Sequence, residues 1–219
     1  MHYPGGKGVS GVYQRIINQI PPHRVYIETH LGGGAIMRHK KLAEVNIGVD
    51  LDMDVSEAWQ DAEQVQFVCA DAVDYLGTYP FNGEEFVYAD PPYLACTRRS
   101  HRSLYKYDYT KDDHVELLKT LVSLPCQVMI SSYRSSLYKQ YLSRWRTLRY
   151  CVRTRSGAVA EEYLWMNYPA PVELHDYRHL GDSFRERERI RRRNEGWKKR
   201  IESLTTLERN ALLAHVFKH

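Results

Sequence analysis

The stretch Val87-Tyr88-Ala89-Asp90-Pro91-Pro92-Tyr93 constrains this chain most. Its apolar beginning (Phe86, Val87, Tyr88, Ala89) reads as a buried strand, which then stops in an acid, two prolines and an aromatic. Neither strand nor helix continues through Asp-Pro-Pro-Tyr. Each proline lacks an N–H, and each biases the residue before it toward extended geometry. The expected result is a rigid turn at the carboxyl end of a strand, where open α/β sheets keep their ligand sites.

Other apolar runs end in the same way. Val25-Tyr26-Ile27-Glu28 reads as a first strand, and Leu31-Gly32-Gly33-Gly34-Ala35-Ile36 as a glycine-rich turn into a helix. Val45–Asp50 and Gln66–Ala70, the latter followed by Asp71, make the next two strands, each closed by an acid. Cys126–Tyr133 is another central strand, and Arg146–Arg153 with Ala160–Asn167 alternate as an antiparallel hairpin turning at Ser156-Gly157. Ahead of them all, Val12, Ile16, Ile17 and Ile20 recur at helical spacing until Pro21-Pro22 stops the helix. Thr110 and Asp113 cap a helix carrying Val115, Leu117, Leu118 and Leu121. The pattern predicts an α/β fold, Rossmann-like, with a mixed, mostly parallel sheet and helices on both faces.

Chemistry concentrates at the strand ends. Asp90 offers a carboxylate acceptor, Pro91 a carbonyl with no N–H of its own, and Tyr93 a flat ring. Two acceptors beside a stacking face suit the exocyclic amino group of a purine or cytosine, whose two N–H hydrogens they hold. An acid about 20 residues beyond a glycine turn is the usual partner of a ribose diol; that residue is Asp50. By the same geometry Asp71 reaches a bound adenine, or else caps the helix after it. The glycine turn is not G-x-G-x-x-G and no Lys-Ser/Thr follows, so a ligand without phosphates fits better. Lys7, in Tyr3-Pro4-Gly5-Gly6-Lys7, is placed to meet a carboxylate.

Residues 94–113 interleave Arg98, Arg99, His101, Arg102 and Lys106 with Tyr105, Tyr107 and Tyr109. Basic groups neutralise phosphates and tyrosines stack on bases, so this segment is a candidate nucleic-acid contact. Pro169 and Pro171 mark a boundary between residues 1–170 and a basic helical extension, 171–219. Residues 185–200 hold seven Arg and two Lys against three Glu, so the net charge of +4 belongs mostly to this tail. Asp182 or Ser183 caps one charged helix there, and the capping box Thr205-Thr206-Leu207-Glu208 opens another, as in a helical hairpin. No apolar run approaches a membrane span and no signal peptide is legible, so a cytoplasmic protein is expected. Cys69, Cys96, Cys126 and Cys151 are too scattered for a zinc site, and no metal is expected.

Tyr3-Pro4-Gly5-Gly6-Lys7, Ile27-Glu28-Thr29-His30-Leu31-Gly32-Gly33-Gly34-Ala35 and Asp90-Pro91-Pro92-Tyr93, in this order, resemble the motifs of the D12 class (Dam-like) of N6-adenine-specific DNA methyltransferases, and the similarity covers about residues 1–168. The Glu162–Tyr168 ending is also similar. The resemblance implies methyl transfer from S-adenosylmethionine to adenine N6 in DNA, with the base flipped into the Asp-Pro-Pro-Tyr pocket and restriction-modification as one setting. It further implies that Tyr3, Lys7, Glu28, Gly32, Gly34, Asp50 and Asp71 hold the cofactor. Asp90, Pro91, Pro92 and Tyr93 would act on the base, and Tyr133 would help to hold it. Two departures stand out. Thr29-His30 replaces the family's Pro-Phe, and the usual target-recognition insertion before the Asp-Pro-Pro-Tyr strand is missing. Recognition then falls to Arg98, Arg99, Arg102, Tyr105 and Lys106, to the C-terminal helices, or to an additional subunit or oligomer. RNA adenine-N6 transfer is the first alternative, followed by cytosine-N4 transfer in DNA and a non-catalytic nucleic-acid-binding subunit.

Overall fold

A computed structural model describes residues 7, 8, 11–98, 106–153 and 159–217. The chain divides into two compact units, Met1–Asp176 and Tyr177–His219.

In the first unit seven strands form one sheet: β1 (Val25–Thr29), β2 (Val45–Asp50), β3 (Gln66–Cys69), β4 (Glu85–Ala89), β5 (Gln127–Ser132), β6 (Arg146–Arg153) and β7 (Val159–Met166). Their order across the sheet is β3-β2-β1-β4-β5-β7-β6. β1 to β5 run parallel, whereas β7 is antiparallel to both β5 and β6. The expected fold class, a mixed and mostly parallel Rossmann-like sheet, is the one observed. The turn expected at Ser156-Gly157 lies outside the described residues.

Strand parity builds the two halves of the core. Tyr26, Phe86, Tyr88, Met129 and Leu164 face α1 (Val12–Ile17) and α2 (Ala35–His39), packing with Ile16, Ile17, Ile36 and Met37. Ile27, Val87, Ala89, Val128 and Ile130 face the other way, toward α4 (Lys111–Ser123), with Leu117, Leu118 and Leu121 beneath them. A strand buried on both faces favours apolar side chains along its length, which is why Phe86–Ala89 of β4 reads as a continuous run. α1 ends at Ile17, four residues before the stop expected at Pro21, yet Ile20 is still buried. α3 (Ala72–Thr78) follows β3, and α5 (Ser136–Tyr141), capped by the Ser135 hydroxyl, was not legible in the sequence.

Beyond Pro169, the chain as far as Asp176 still belongs to this unit. His175 donates its N–H to the Ile20 carbonyl, and the Asp176 carboxylate accepts the Lys41 N–H at 2.7 Å. The second unit consists of α6 (Phe184–Glu202) and α7 (Thr206–Val216), joined by residues 203–205. Ser183 caps α6, and Thr205 with Glu208 forms the expected capping box of α7. Neither helix buries a side chain. Among the described residues no helix is long and apolar enough to cross a membrane.

Candidate active site at the carboxyl ends of β1 and β4

After β1 the chain moves outward to β2 and β3, then returns to place β4 on the opposite side of β1. Strand order therefore reverses between β1 and β4, and open α/β sheets bind their ligands in the crevice beyond the carboxyl ends of the strands at such a point. Thr29 pairs with Ala89 there, and the Asp90 N–H reaches the Thr29 carbonyl at 3.4 Å. The glycine turn and the Asp90–Tyr93 turn thus leave the sheet side by side.

Around Asp90 lies a dense polar cluster. Lys7 Nζ is 2.8 Å from Asp90 Oδ1 and 3.4 Å from Glu162 Oε2, and it donates to the Tyr93 hydroxyl at 2.7 Å. The Tyr93 and Tyr150 hydroxyls both donate to Glu162 Oε2, at 2.8 and 2.9 Å. Lys7 and Glu162 are buried, whereas the Asp90 side chain keeps 18% of its exposure and Tyr93 is half-buried. A carboxylate has about four acceptor sites, so Asp90 retains acceptor capacity beside its ion pair with Lys7. The Pro91 carbonyl belongs to a buried residue and meets no donor among the described residues. A carbonyl without a donor in the protein is an acceptor that a ligand can meet.

Electrostatics follow from burial. Desolvation pushes the Asp90 carboxyl up from its ordinary range, against the pull of Lys7. Burial drags the Lys7 ammonium down, but Asp90, Glu162 and Tyr150 outweigh it and hold its pKa well above the usual lysine value. One cation thus serves two carboxylates. The Tyr93 ring meets Tyr133 edge-on, with centroids 4.5 Å apart, so the turn carries an aromatic wall.

The glycine turn is held from several sides. Asp50 Oδ2 accepts the Gly32 N–H at 2.8 Å and Oδ1 accepts the Asp52 N–H at 2.9 Å. Burial pushes Asp50 up, and these backbone donors pull it back. Trp59 donates its indole N–H to the Gly32 carbonyl at 3.2 Å. His30, Gly32 and Gly34 have φ of 57°, 45° and 54°. His30 Nε2 lies 2.8 Å from the Tyr109 hydroxyl, and burial holds the imidazole at about 3, hence neutral. Gly34 combines left-handed backbone with contact, because a Cβ there would lie 2.1 Å from Trp59 Cζ2. Gly34→Ala should therefore cost at least about 2 kcal/mol, the sum of backbone strain and overpacking. Thermal unfolding checks this, and an unchanged midpoint would contradict it.

The other expected residues fall in varied places. Glu28 turns into the core, where the Tyr26 hydroxyl (3.0 Å) and the Met37 N–H (2.9 Å) both reach Oε2. Asp71 caps α3 by accepting from the Val73 and Asp74 N–H groups. Arg98 is buried; it donates to the Tyr93 carbonyl and, through both terminal nitrogens, to Asp108. It thereby fastens residue 108 to the Asp90–Tyr93 turn. Lys106 Nζ bridges Asp52 and Asp54, each at 2.8 Å, which ties the same segment to the turn after β2. Tyr3, Arg99, Arg102 and Tyr105 lie outside the described residues. Glu162 and Tyr150 were missed as site residues. The available signal was parity, since residues 162, 164 and 166 share the face that points into the core. Among the described residues no cluster of His, Cys, Asp and Glu could hold a metal ion.

Comparison with known proteins gives a family match and a fold. Residues 50–152 match the family model of D12 class N6 adenine-specific DNA methyltransferases. The matched span runs from Asp50 through the Asp90–Tyr93 turn to β6. No curated protein sequence matches the chain. The fold is similar to that of precorrin 8W decarboxylase from Methanobacterium thermoautotrophicum, at 10% identity and a TM-score of 0.50, covering 76% of this chain and 94% of that one. M. capricolum TrmK in complex with S-adenosyl-homocysteine matches at 7% identity and a TM-score of 0.49, covering 95% of each chain. A dimethyladenosine transferase from Plasmodium falciparum matches at 13% identity and a TM-score of 0.47, covering 76% of this chain and 63% of that one.

Proposed function

We propose that the protein transfers a methyl group from S-adenosylmethionine to the N6 amino group of adenine in DNA. The observation that carries this reading is the Asp90 carboxylate beside the Pro91 carbonyl, which meets no donor among the described residues, at the switch point of the sheet and within the span matched by the adenine-methyltransferase family model. An exocyclic amine has two N–H donors, and these two oxygens can take one each. With both hydrogens engaged, the nitrogen lone pair is turned away from the ring and toward an incoming electrophile.

The crevice fits the cofactor by its donor set. Gly32 and Gly34 keep the backbone bare at the turn, and Asp50 ends β2 opposite them. A carboxylate has about four acceptor sites, so two backbone N–H bonds leave Asp50 able to receive the hydroxyls of a ribose. When bound, S-adenosylmethionine supplies a methyl group already activated by the sulfonium, so the protein need not generate an electrophile. The residues of the chain then position and balance charge. Tyr93 and Tyr133 provide the face against which the base lies. Lys7 offsets the charge of Asp90 and Glu162, so that Asp90 remains an acceptor despite burial. Glu162 holds the Tyr93 hydroxyl and so sets the tilt of its ring. The nitrogen becomes acidic only as its bond to the methyl carbon forms, and its proton then leaves late, with Asp90 the nearest acceptor. An adenine inside a duplex is out of reach, so the base is flipped out or already unpaired.

Labelled methyl transfer to duplex DNA, single-stranded DNA and total RNA, followed by nucleoside analysis, tests the proposal. N6-methyladenine in DNA is expected. Label confined to RNA, or found as N4-methylcytosine, would overturn it.

A further inference from the structure

The helix α6 has three distinct sides. At about 100° per residue, Ile190, Trp197 and Ile201 form a narrow apolar stripe. Next to it, Arg191 and Lys198 lie among Glu188, Glu195 and Glu202, and are paired with them: Arg191 to Glu188 at 2.9 Å and to Glu195 at 2.5 Å, Lys198 to Glu202 at 3.7 Å. The third side carries Arg185, Arg189, Arg192, Arg193, Lys199 and Arg200 at i, i+4, i+7, i+8, i+14 and i+15. All six are exposed. Arg189 and Arg192 reach Glu186 and Glu188 at 3.4 and 3.7 Å, whereas Arg185, Arg193, Lys199 and Arg200 have no acidic partner among the described residues. Charge on this helix is therefore sorted. One side is neutralised internally, and another is left cationic.

Gly196 stands in the middle of the cationic side, at i+11. A mid-helix glycine costs roughly 1 kcal/mol relative to alanine. Packing does not account for it, because a Cβ at this position would meet nothing within 4 Å. What a glycine does provide is bare backbone, over which an outside partner can come close. Arg185 to Arg200 span about 22 Å at 1.5 Å rise per residue, which matches the phosphates along about six base pairs of one strand at 3.4 Å each.

We propose that this face of α6 binds the phosphate backbone of duplex DNA, independently of sequence. The proposal rests on the reading of DNA as the substrate and supplies the general affinity that the missing recognition insertion would otherwise give. A membrane surface is the weaker match, since an interfacial helix needs a broad apolar face, and here three residues make a narrow one, with Ile190 and Ile201 half-buried.

Two double variants of the full chain test it, each removing two positive charges from α6. Arg193→Gln/Lys199→Gln empties the cationic side, and Arg191→Gln/Lys198→Gln empties the paired side. Binding to a labelled duplex is read by anisotropy across a salt series, without methyl transfer, so failure of the catalytic reading does not blur the result. The first variant should bind about tenfold more weakly at moderate salt and lower the salt slope by about 2, at roughly 0.9 per lost phosphate contact. The second should stay within about twofold, and helix content by circular dichroism should match in both. Equal weakening by both variants, no weakening by either, or face-dependent binding to an RNA hairpin or anionic vesicles but not to duplex DNA would overturn the proposal.

Discussion

Asp90→Asn should lower methyl transfer by about 10²–10³-fold, the loss typical of one preorganised hydrogen-bonding group aimed at a reacting centre. Asparagine keeps the shape of the turn, and Pro91 and Pro92 still fix its backbone. The charge goes, however, and a charge-assisted acceptor is about twice as strong as a neutral one. The amide also brings an NH₂ group that, pointed at the crevice, would meet the N–H hydrogens of the substrate amine. Stability should suffer much less. Breaking a buried ion pair costs about 3–5 kcal/mol when the remaining charge has no other partner, but Lys7 keeps Glu162 at 3.4 Å and the Tyr93 hydroxyl at 2.7 Å. Single-turnover transfer to the nucleic acid that accepts the methyl group, alongside thermal unfolding, separates the two effects. Near-normal transfer would remove Asp90 from the chemistry. Loss of the folded state with Asn in place would mean that the carboxylate is a structural brace for Lys7.

Much of this site was legible because parallel strands announce themselves. A strand buried on both faces is a short apolar run, and at its carboxyl end the chain must turn; in β2, β3 and β4 an acid sits at that point or within two residues after it, whereas in β1 Glu28 precedes the last residue. The strands, the order of the turns and Asp90 followed from that alone. The partners of Asp90 did not. Glu162 is 69 residues from Tyr93, and only the antiparallel return of β7 beside β5 brings it near. Its neighbour Glu161 has the same chemistry and the opposite parity, and pairs with Arg149 at the surface. Basic residues mislead in a similar way. Arg98 reads as a phosphate contact by type, yet its guanidinium is used up by Asp108 and the Tyr93 carbonyl, because a turn stiffened by two prolines leaves backbone acceptors that need a donor. Sequence displays which groups exist, but whether a charge faces solvent or a partner depends on contacts that no local pattern encodes. α6 is the exception, since helical spacing alone sorts its charges into faces.

Glu28→Gln should stabilise the protein at pH 8 and abolish a loss of stability that the natural chain shows between about pH 4.5 and 8. Burial in the core raises the Glu28 carboxyl to about 8, and nearby Asp90 pushes in the same direction. In the unfolded chain the same group titrates near its ordinary value of 4.5. Between these two values the folded state holds a proton that the unfolded state has released. Stability then falls with rising pH, with the contribution complete below pH 4.5 and gone above about 8. The shift corresponds to roughly 4–5 kcal/mol at 1.36 kcal/mol per unit. Glutamine has nearly the same shape and no titration, and its carbonyl oxygen can accept both the Tyr26 hydroxyl and the Met37 N–H that now meet Oε2. Histidines held low by burial, such as His30, give the opposite slope at acid pH in both proteins, so they cancel in the difference. Urea unfolding of both proteins at pH 5 and pH 8 checks the prediction. The advantage of the variant should grow by about 3.5 kcal/mol between these two values. If it does not grow, Glu28 is ionised in the folded protein, and the core beneath the glycine turn carries a negative charge that Tyr26 and the Met37 N–H are enough to hold.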